Sequence, residues 1–177
     1  MVNVVEVGGL AEQLGQELQR QGWMIATAES CTGGLLGAAI TAIAGSSAWF
    51  DRGYVTYSNA AKSEDLGVLP EALEAHGAVS EHVAMEMANG VLLQCPGAQV
   101  AVYITGIAGP DGGTPGKPVG MVCFGFASRV GEGIATRAAT QVFDGNRQQV
   151  RLAAVDFALR GALESVDARS IDVRTAA

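Results

Sequence analysis

The stretch "WMIATAESCTGGLLGAAITAIA", residues 23–44, decides how the chain folds. Its first seven residues read as a buried strand, apolar apart from Thr27 and the closing Glu29. A polar turn, "SCTGG", follows, and then a run of small apolar residues that reads as a helix over 33–44. A strand passing through a turn into a helix opens an α/β unit, in which the helix crosses one face of a sheet. Because "GGLLGAAITAIA" is apolar on nearly every side, that helix is expected to pack deep in the protein.

Upstream, Leu10, Leu14 and Leu18 recur every four residues among Gln, Glu and Arg, the pattern of an amphipathic helix ended near Gly22. Downstream, "AWFDRGYVTYS" has strand composition, and Asn59 is expected to cap a short helix over 60–66 with Lys62 in its first turn. Pro70 opens a further helix, and Ser80 caps another in which Val83, Met87 and Val91 repeat at helical spacing. "AQVAVYIT" is a strand that runs into the loop "GIAGPDGGTPGKPVG". "MVCFGFAS" and "IATRAATQVF" follow as two strands across the turn at "RVGEG". A last helix begins after Asn146, and 167–177 lacks an apolar period and is expected to fray. The fold class is α/β: a single-domain three-layer sandwich over 1–166. A central, mostly parallel sheet carries helices on both faces and an antiparallel C-terminal strand pair.

The chain has 177 residues, enough for one compact domain; 49% are hydrophobic but only 6% aromatic, so Ala, Val, Leu and Ile must build the core. A net charge of −7 without a Lys/Arg run excludes electrostatic capture of nucleic acid but leaves room for one small anion. No apolar run nears the ~20 residues that span a bilayer, and the N-terminus lacks signal-peptide form. No membrane partner and a cytoplasmic location are therefore expected. Cys31, Cys95 and Cys123 are scattered without CxxC spacing, which suits a reducing compartment and supplies neither disulfide framework nor zinc site. With only two histidines, neither a metal centre nor any other cofactor is expected.

In an open α/β sheet, ligands bind beyond the carboxyl ends of the strands. Residues 29–34, 57–62 and 105–113 each follow a predicted strand there. In the first, Ser30 and Cys31 are adjacent nucleophiles, beside N–H groups at Thr32, Gly33 and Gly34 that suit an oxyanion or a phosphate. The plain alternative is that Ser30 or Thr32 caps the helix. A catalytic serine needs a base, and Lys62 suits the task if burial or a positive neighbour keeps it neutral, with Glu64 and Asp65 facing solvent. Taken alone, Lys62 reads as an exposed helix lysine and Tyr57 as a strand aromatic. Cys31 reads as a small buried hydrophobe, with a thiolate at the helix N-terminus as its rival role. Arg147 and Arg52 are candidates for a phosphate.

The motifs "TAESCTGGLLGAAIT", "GSSAWFDRGYVTYSNAAKSEDLGV", "HGAVSEHVAMEMANG" and "ITGIAGPDGGTPGKPVG" together resemble the CinA C-terminal domain family, from about Leu10 to the last helix. Its stand-alone members are nicotinamide-nucleotide amidases. The resemblance implies hydrolysis of the carboxamide of nicotinamide mononucleotide to nicotinate mononucleotide and ammonia, with a serine nucleophile and no metal. Carried over, Ser30 is the nucleophile and Tyr57 and Lys62 its activating partners. Thr105 and Gly106 are candidates for holding the amide or the oxyanion. Relatives also imply a homodimer. The alternative is a non-catalytic nucleotide-binding domain serving an interaction partner, in keeping with the family's link to competence and DNA damage.

Overall fold

The computed structural model describes the backbone of residues 4–175 and the side chains of 7–168. After α1 (Val4–Gln21), the chain forms β1 (Ile25–Glu29), α2 (Leu35–Thr41), a single 3-10 turn (Ser46–Ala48) and β2 (Phe50–Val55). Three helices follow, α3 (Asn59–Leu66), α4 (Pro70–His76) and α5 (Glu81–Gln94), before β3 (Val100–Gly106). The hairpin of β4 (Met121–Val130) and β5 (Gly133–Val142) then leads into α6 (Arg147–Thr175).

The strands lie in the order β2-β1-β3-β4-β5. β1 pairs in parallel with both β2 and β3, whereas β4 runs antiparallel to β3 and β5 antiparallel to β4. Four of the five strands thus point one way and β4 opposes them. β1 is buried at every position because both sheet faces are covered, which accounts for its largely apolar run. On one face, α1, α2 and α6 pack through Leu14, Leu18, Ile40, Val155 and Leu159 against Val102, Phe124 and Phe126. On the other, α3, α4 and α5 pack Leu66, Leu73, Val83 and Met87 against Ala28, Tyr103 and Cys123.

This layering positions the site. The chain leaves β1 for β2 through α2 on one face and returns from β2 to β3 through α3–α5 on the other. The loops after β1 and β3 therefore part, opening a crevice at the carboxyl end of the sheet. Register aligns the three strand ends there, since Glu29 stands beside both Val55 and Ile104.

Three local expectations are corrected. The α2 helix spans only Leu35–Thr41 and buries only Leu36 and Ile40, so it is not packed deep. Gly33 and Gly34 hold φ of 58° and 98°, the left-handed region that a helix cannot include. Ser58, not Asn59, caps α3, its hydroxyl accepting the Ala61 N–H at 3.0 Å. Finally, α6 continues through Thr175, across the segment expected to fray. Extending an anchored helix needs no new nucleus, and 167–175 contains no Gly or Pro; residues 176–177 lie outside the described residues.

Gly125 on β4 shows how closely the layers meet, because a Cβ there would lie 1.9 Å from the Ala84 carbonyl oxygen of α5. Gly125→Ala must push α5 off the sheet, and a loss of about 3 kcal/mol is expected. Denaturant midpoints measure it; a wild-type midpoint would mean that the contact can relax freely.

Candidate active site

Ser30 follows the last residue of β1 and is fixed by its own backbone. Its N–H donates to Ile104 O at 2.8 Å, and its carbonyl accepts the Gly33 N–H at 3.0 Å. Neither Ser30 nor Thr32 caps α2, whose N-cap is Gly34 without a side-chain cap bond. The cap comes from Glu29. Its carboxylate accepts the N–H groups of Gly34 and Leu36, both at 3.0 Å, and of Gly37 at 2.9 Å. The N–H groups of Gly33 and Gly34, expected to face an oxyanion, are therefore committed within the protein. Among the described residues no backbone carbonyl accepts the N–H groups of Cys31 and Thr32, and that of Cys31 lies against its own sulfur.

Lys62 is the second element. It is 1% exposed, not the surface lysine its helix suggested, while Glu64 and Asp65 point to solvent. Its Nζ donates to the carbonyl oxygens of Thr56 at 2.9 Å and of Tyr57 and Ser58 at 3.3 Å each, and reaches Ser30 Oγ at 3.4 Å. The carbonyls can only accept; of these four partners only the Ser30 hydroxyl can give Nζ a proton. Burial holds the Lys62 pKa below the ordinary 10.5, with the nearby Cys31 thiol acting weakly the other way. Depression by desolvation is what a lysine base requires.

Cys31 differs from its neighbour in every respect that matters. It is 6% exposed, and burial pushes its thiol up to about 11; its own backbone N–H, Arg151 and Arg147 oppose the rise and Glu29 adds to it. A thiol of that kind is protonated at neutral pH and is a poor nucleophile.

Both elements open into a cavity of about 320 Å³. Its walls are Ser30, Cys31, Tyr57 and Lys62 on one side and Ala78 with Val79 on another. The glycine-rich loop supplies residues 106–109, 111 and 112, and α6 supplies Arg147. The Tyr57 phenol is exposed and accepts from Arg147 at 3.3 Å; its contact with Lys62 is through its backbone carbonyl. Arg147 also donates to Gly109 O at 3.0 Å, tying the loop to α6. The Thr105 hydroxyl donates to Ala78 O at 3.1 Å, and Gly106 is required by packing, since a Cβ there would lie 2.7 Å from Met121 O. Arg52 is not brought to the cavity; it lies on β2 paired with Asp51. The buried Tyr103 hydroxyl faces the side chains of Thr105, Thr56 and Ser30 without a well-formed hydrogen bond to any of them.

Two site residues escaped the sequence reading. Glu29 carried a signal, an acidic residue just before a helix start, where carboxylates are favoured. Arg151 lies one helical turn beyond Arg147 and donates to the carbonyls of Cys31 at 3.1 Å and Thr32 at 2.7 Å, clamping the nucleophile turn. Among the described residues, no three His, Cys, Asp or Glu side chains gather as metal ligands, and no helix is long and apolar enough to cross a membrane.

A family model described as CinA C-terminal domain matches residues 8–166. Nicotinamide-nucleotide amidohydrolase PncC of Enterobacter agglomerans is 58% identical over 154 residues, covering 87% of this chain and 92% of its own. The protein of that name from Escherichia coli K12 is 54% identical over 155 residues, covering 88% and 92%. Among solved structures, the competence/damage inducible protein CihA from Agrobacterium tumefaciens superposes with a TM-score of 0.84 at 43% identity, over 92% of this chain and 96% of that one. Since the family model spans residues 8–166 and the relatives match over most of the chain, the chain belongs to the CinA C-terminal domain family.

Proposed function

We propose that the protein hydrolyses the carboxamide of nicotinamide mononucleotide, releasing ammonia and nicotinate mononucleotide through a Ser30 acyl-enzyme. The observation that carries this reading is the 3.4 Å approach of a buried lysine amine to Ser30 Oγ at the mouth of a nucleotide-sized crevice. The names of the relatives at 58% and 54% identity supply the substrate class.

Neutral Lys62 takes the hydroxyl proton as Ser30 Oγ attacks the carboxamide carbon. The Cys31 and Thr32 N–H groups, which the Glu29 carboxylate does not take up, receive the developing oxyanion. Collapse breaks the C–N bond, and the proton now on Lys62 goes to the departing nitrogen, completing ammonia. Water then attacks the acyl carbon, gives its proton to Lys62, and Ser30 leaves with that proton restored. Tyr57 and Arg147, paired across the cavity mouth, hold the phosphate end of the substrate; Tyr57 serves there rather than as a relay.

Ammonia release from nicotinamide mononucleotide by purified protein tests the reading, and its absence refutes it. Arg147→Ala should raise KM for the nucleotide about 10-fold to 100-fold, the worth of a charge-assisted contact, with kcat largely kept. An unchanged KM would place the phosphate elsewhere. A cytoplasmic setting goes with this reading, supported by three free buried cysteines. So does a homodimer. Its support is an open, mainly apolar hollow of about 540 Å³ lined by Leu35, Ala38, Leu152 and Val155 and bordered by Arg147, Gln148 and Arg151, and sedimentation equilibrium tests it.

A further inference from the structure

The reaction itself requires neither of the two buried acidic groups among the described residues; Asp156 pairs with Arg160, which leaves Glu29 to be explained. Glu29 is 2% exposed, and no cationic side chain pairs with it among the described residues. Its three partners are backbone N–H groups at the opening of α2. Such groups point back toward the residues preceding the helix, here the turn that holds Ser30 and Cys31.

We propose that Glu29 selects between the two adjacent nucleophiles: its carboxylate closes the turn so that Ser30 Oγ faces Lys62, and it withholds from Cys31 the N–H groups at the end of α2 that would support a thiolate beyond what its own backbone N–H supplies. This rests on the serine amidase reading for its catalytic half only. The closure is geometric. One carboxylate oxygen takes Gly34 and Leu36 and the other Gly37, so residue 29 is tied to residues 34–37 and the four residues between are held as a loop of fixed shape. Arg151 grips the same loop from outside through the Cys31 and Thr32 carbonyls. The charged groups around Cys31 are Glu29, Arg151 and Arg147, and Lys62 is also near enough for the two groups to influence each other. Two arginines and an open helix end would favour a thiolate; the filled helix end and the nearby carboxylate oppose it. Glu29 is therefore a positioning residue that touches no reacting atom.

Glu29→Gln has nearly the same shape but lacks the charge. Its single oxygen can keep Gly34 and Leu36, while its amide N–H₂ confronts the Gly37 N–H, donor against donor. The test compares wild type, Glu29→Gln and Glu29→Asp, whose carboxylate falls one CH₂ short. Iodoacetamide labelling is mapped by mass spectrometry, with buried Cys95 and Cys123 as internal controls. Ammonia-release kinetics are measured alongside. In Glu29→Gln, Cys31 should alkylate about tenfold faster while Cys95 and Cys123 stay as inert as in wild type. In the same variant kcat should fall about tenfold with KM held, because positioning and not binding is lost. Glu29→Asp should move both readouts the same way by less, and it decides the matter if Glu29→Gln does not fold. A folded variant with wild-type Cys31 labelling and wild-type kcat overturns the proposal, as does a variant that labels all three cysteines together, which marks general loosening. Should wild type release no ammonia, the amidase reading fails, and the Cys31 labelling contrast alone supports or overturns the role of Glu29.

Discussion

Ser30→Ala is expected to abolish ammonia release, lowering kcat by about 10⁴ or more, while Cys31→Ala stays within a few-fold of wild type. The asymmetry follows from what each side chain meets. Ser30 Oγ has a buried amine 3.4 Å away and opens into the cavity. The Cys31 sulfur is buried, which pushes its thiol up to about 11, and no histidine lines the cavity to deprotonate it. Alanine at 30 removes the nucleophile and leaves the turn intact, since the backbone bonds to Ile104 and Gly33 and the Glu29 cap need no hydroxyl. Circular dichroism and KM should therefore stay near wild type while turnover is lost. The reverse result, with Cys31→Ala inactive and Ser30→Ala active, would reassign the nucleophile and leave the reaction standing. If both variants keep activity, the acyl-enzyme is wrong and water attacks directly.

How much of this was legible beforehand depends on whether a feature is local. The strand-turn-helix order of residues 23–44 was readable because a buried strand and a glycine turn leave strong periodic and compositional marks. The hairpin of β4 and β5 announced itself through two strand-like runs around Gly131 and Gly133. The depth of α2 was misread because apolar composition says that a helix can be buried, not that a neighbour exists to cover it. Its Ala38 and Ala42 line an open hollow instead. Lys62 was misjudged for the complementary reason. In a short helix flanked by Glu64 and Asp65 its surroundings look solvated, and only the packing of α3 on α5, 20 to 30 residues on, takes it inside. Tyr57 lies at the site but pairs with Arg147, 90 residues away, a contact no local pattern carries. Arg52 belongs to the same lesson in reverse: an arginine near a motif in sequence can face away from it once the strand is laid in the sheet.

The second large effect is expected at Lys62. Lys62→Met should lower kcat by about 10³ or more, because methionine fills the volume but accepts no proton. Lys62→Arg should be equally inactive, since a guanidinium never becomes a base near neutral pH. In wild type, kcat/KM should rise with pH as Lys62 loses its proton, and the midpoint should lie below 10.5, because burial disfavours the ammonium. Stability carries the same signature with a definite sign. In the unfolded chain Lys62 keeps its proton up to 10.5, whereas in the folded protein it gives it up at lower pH. Between those two values the unfolded state binds more protons, so stability rises with pH across that window. Below it, the folded protein bears the full cost of a charged amine in a dry site, partly offset by the three carbonyls that receive its hydrogens. Lys62→Met removes the titrating group, so its denaturant midpoint should lose the part of the pH rise that Lys62 supplies. A rate profile that keeps its basic limb in Lys62→Met would assign the base to another group. A wild-type stability curve with the same slope as the variant would show that Lys62 is already solvated, and the dyad would then lack the desolvation that makes its amine a base.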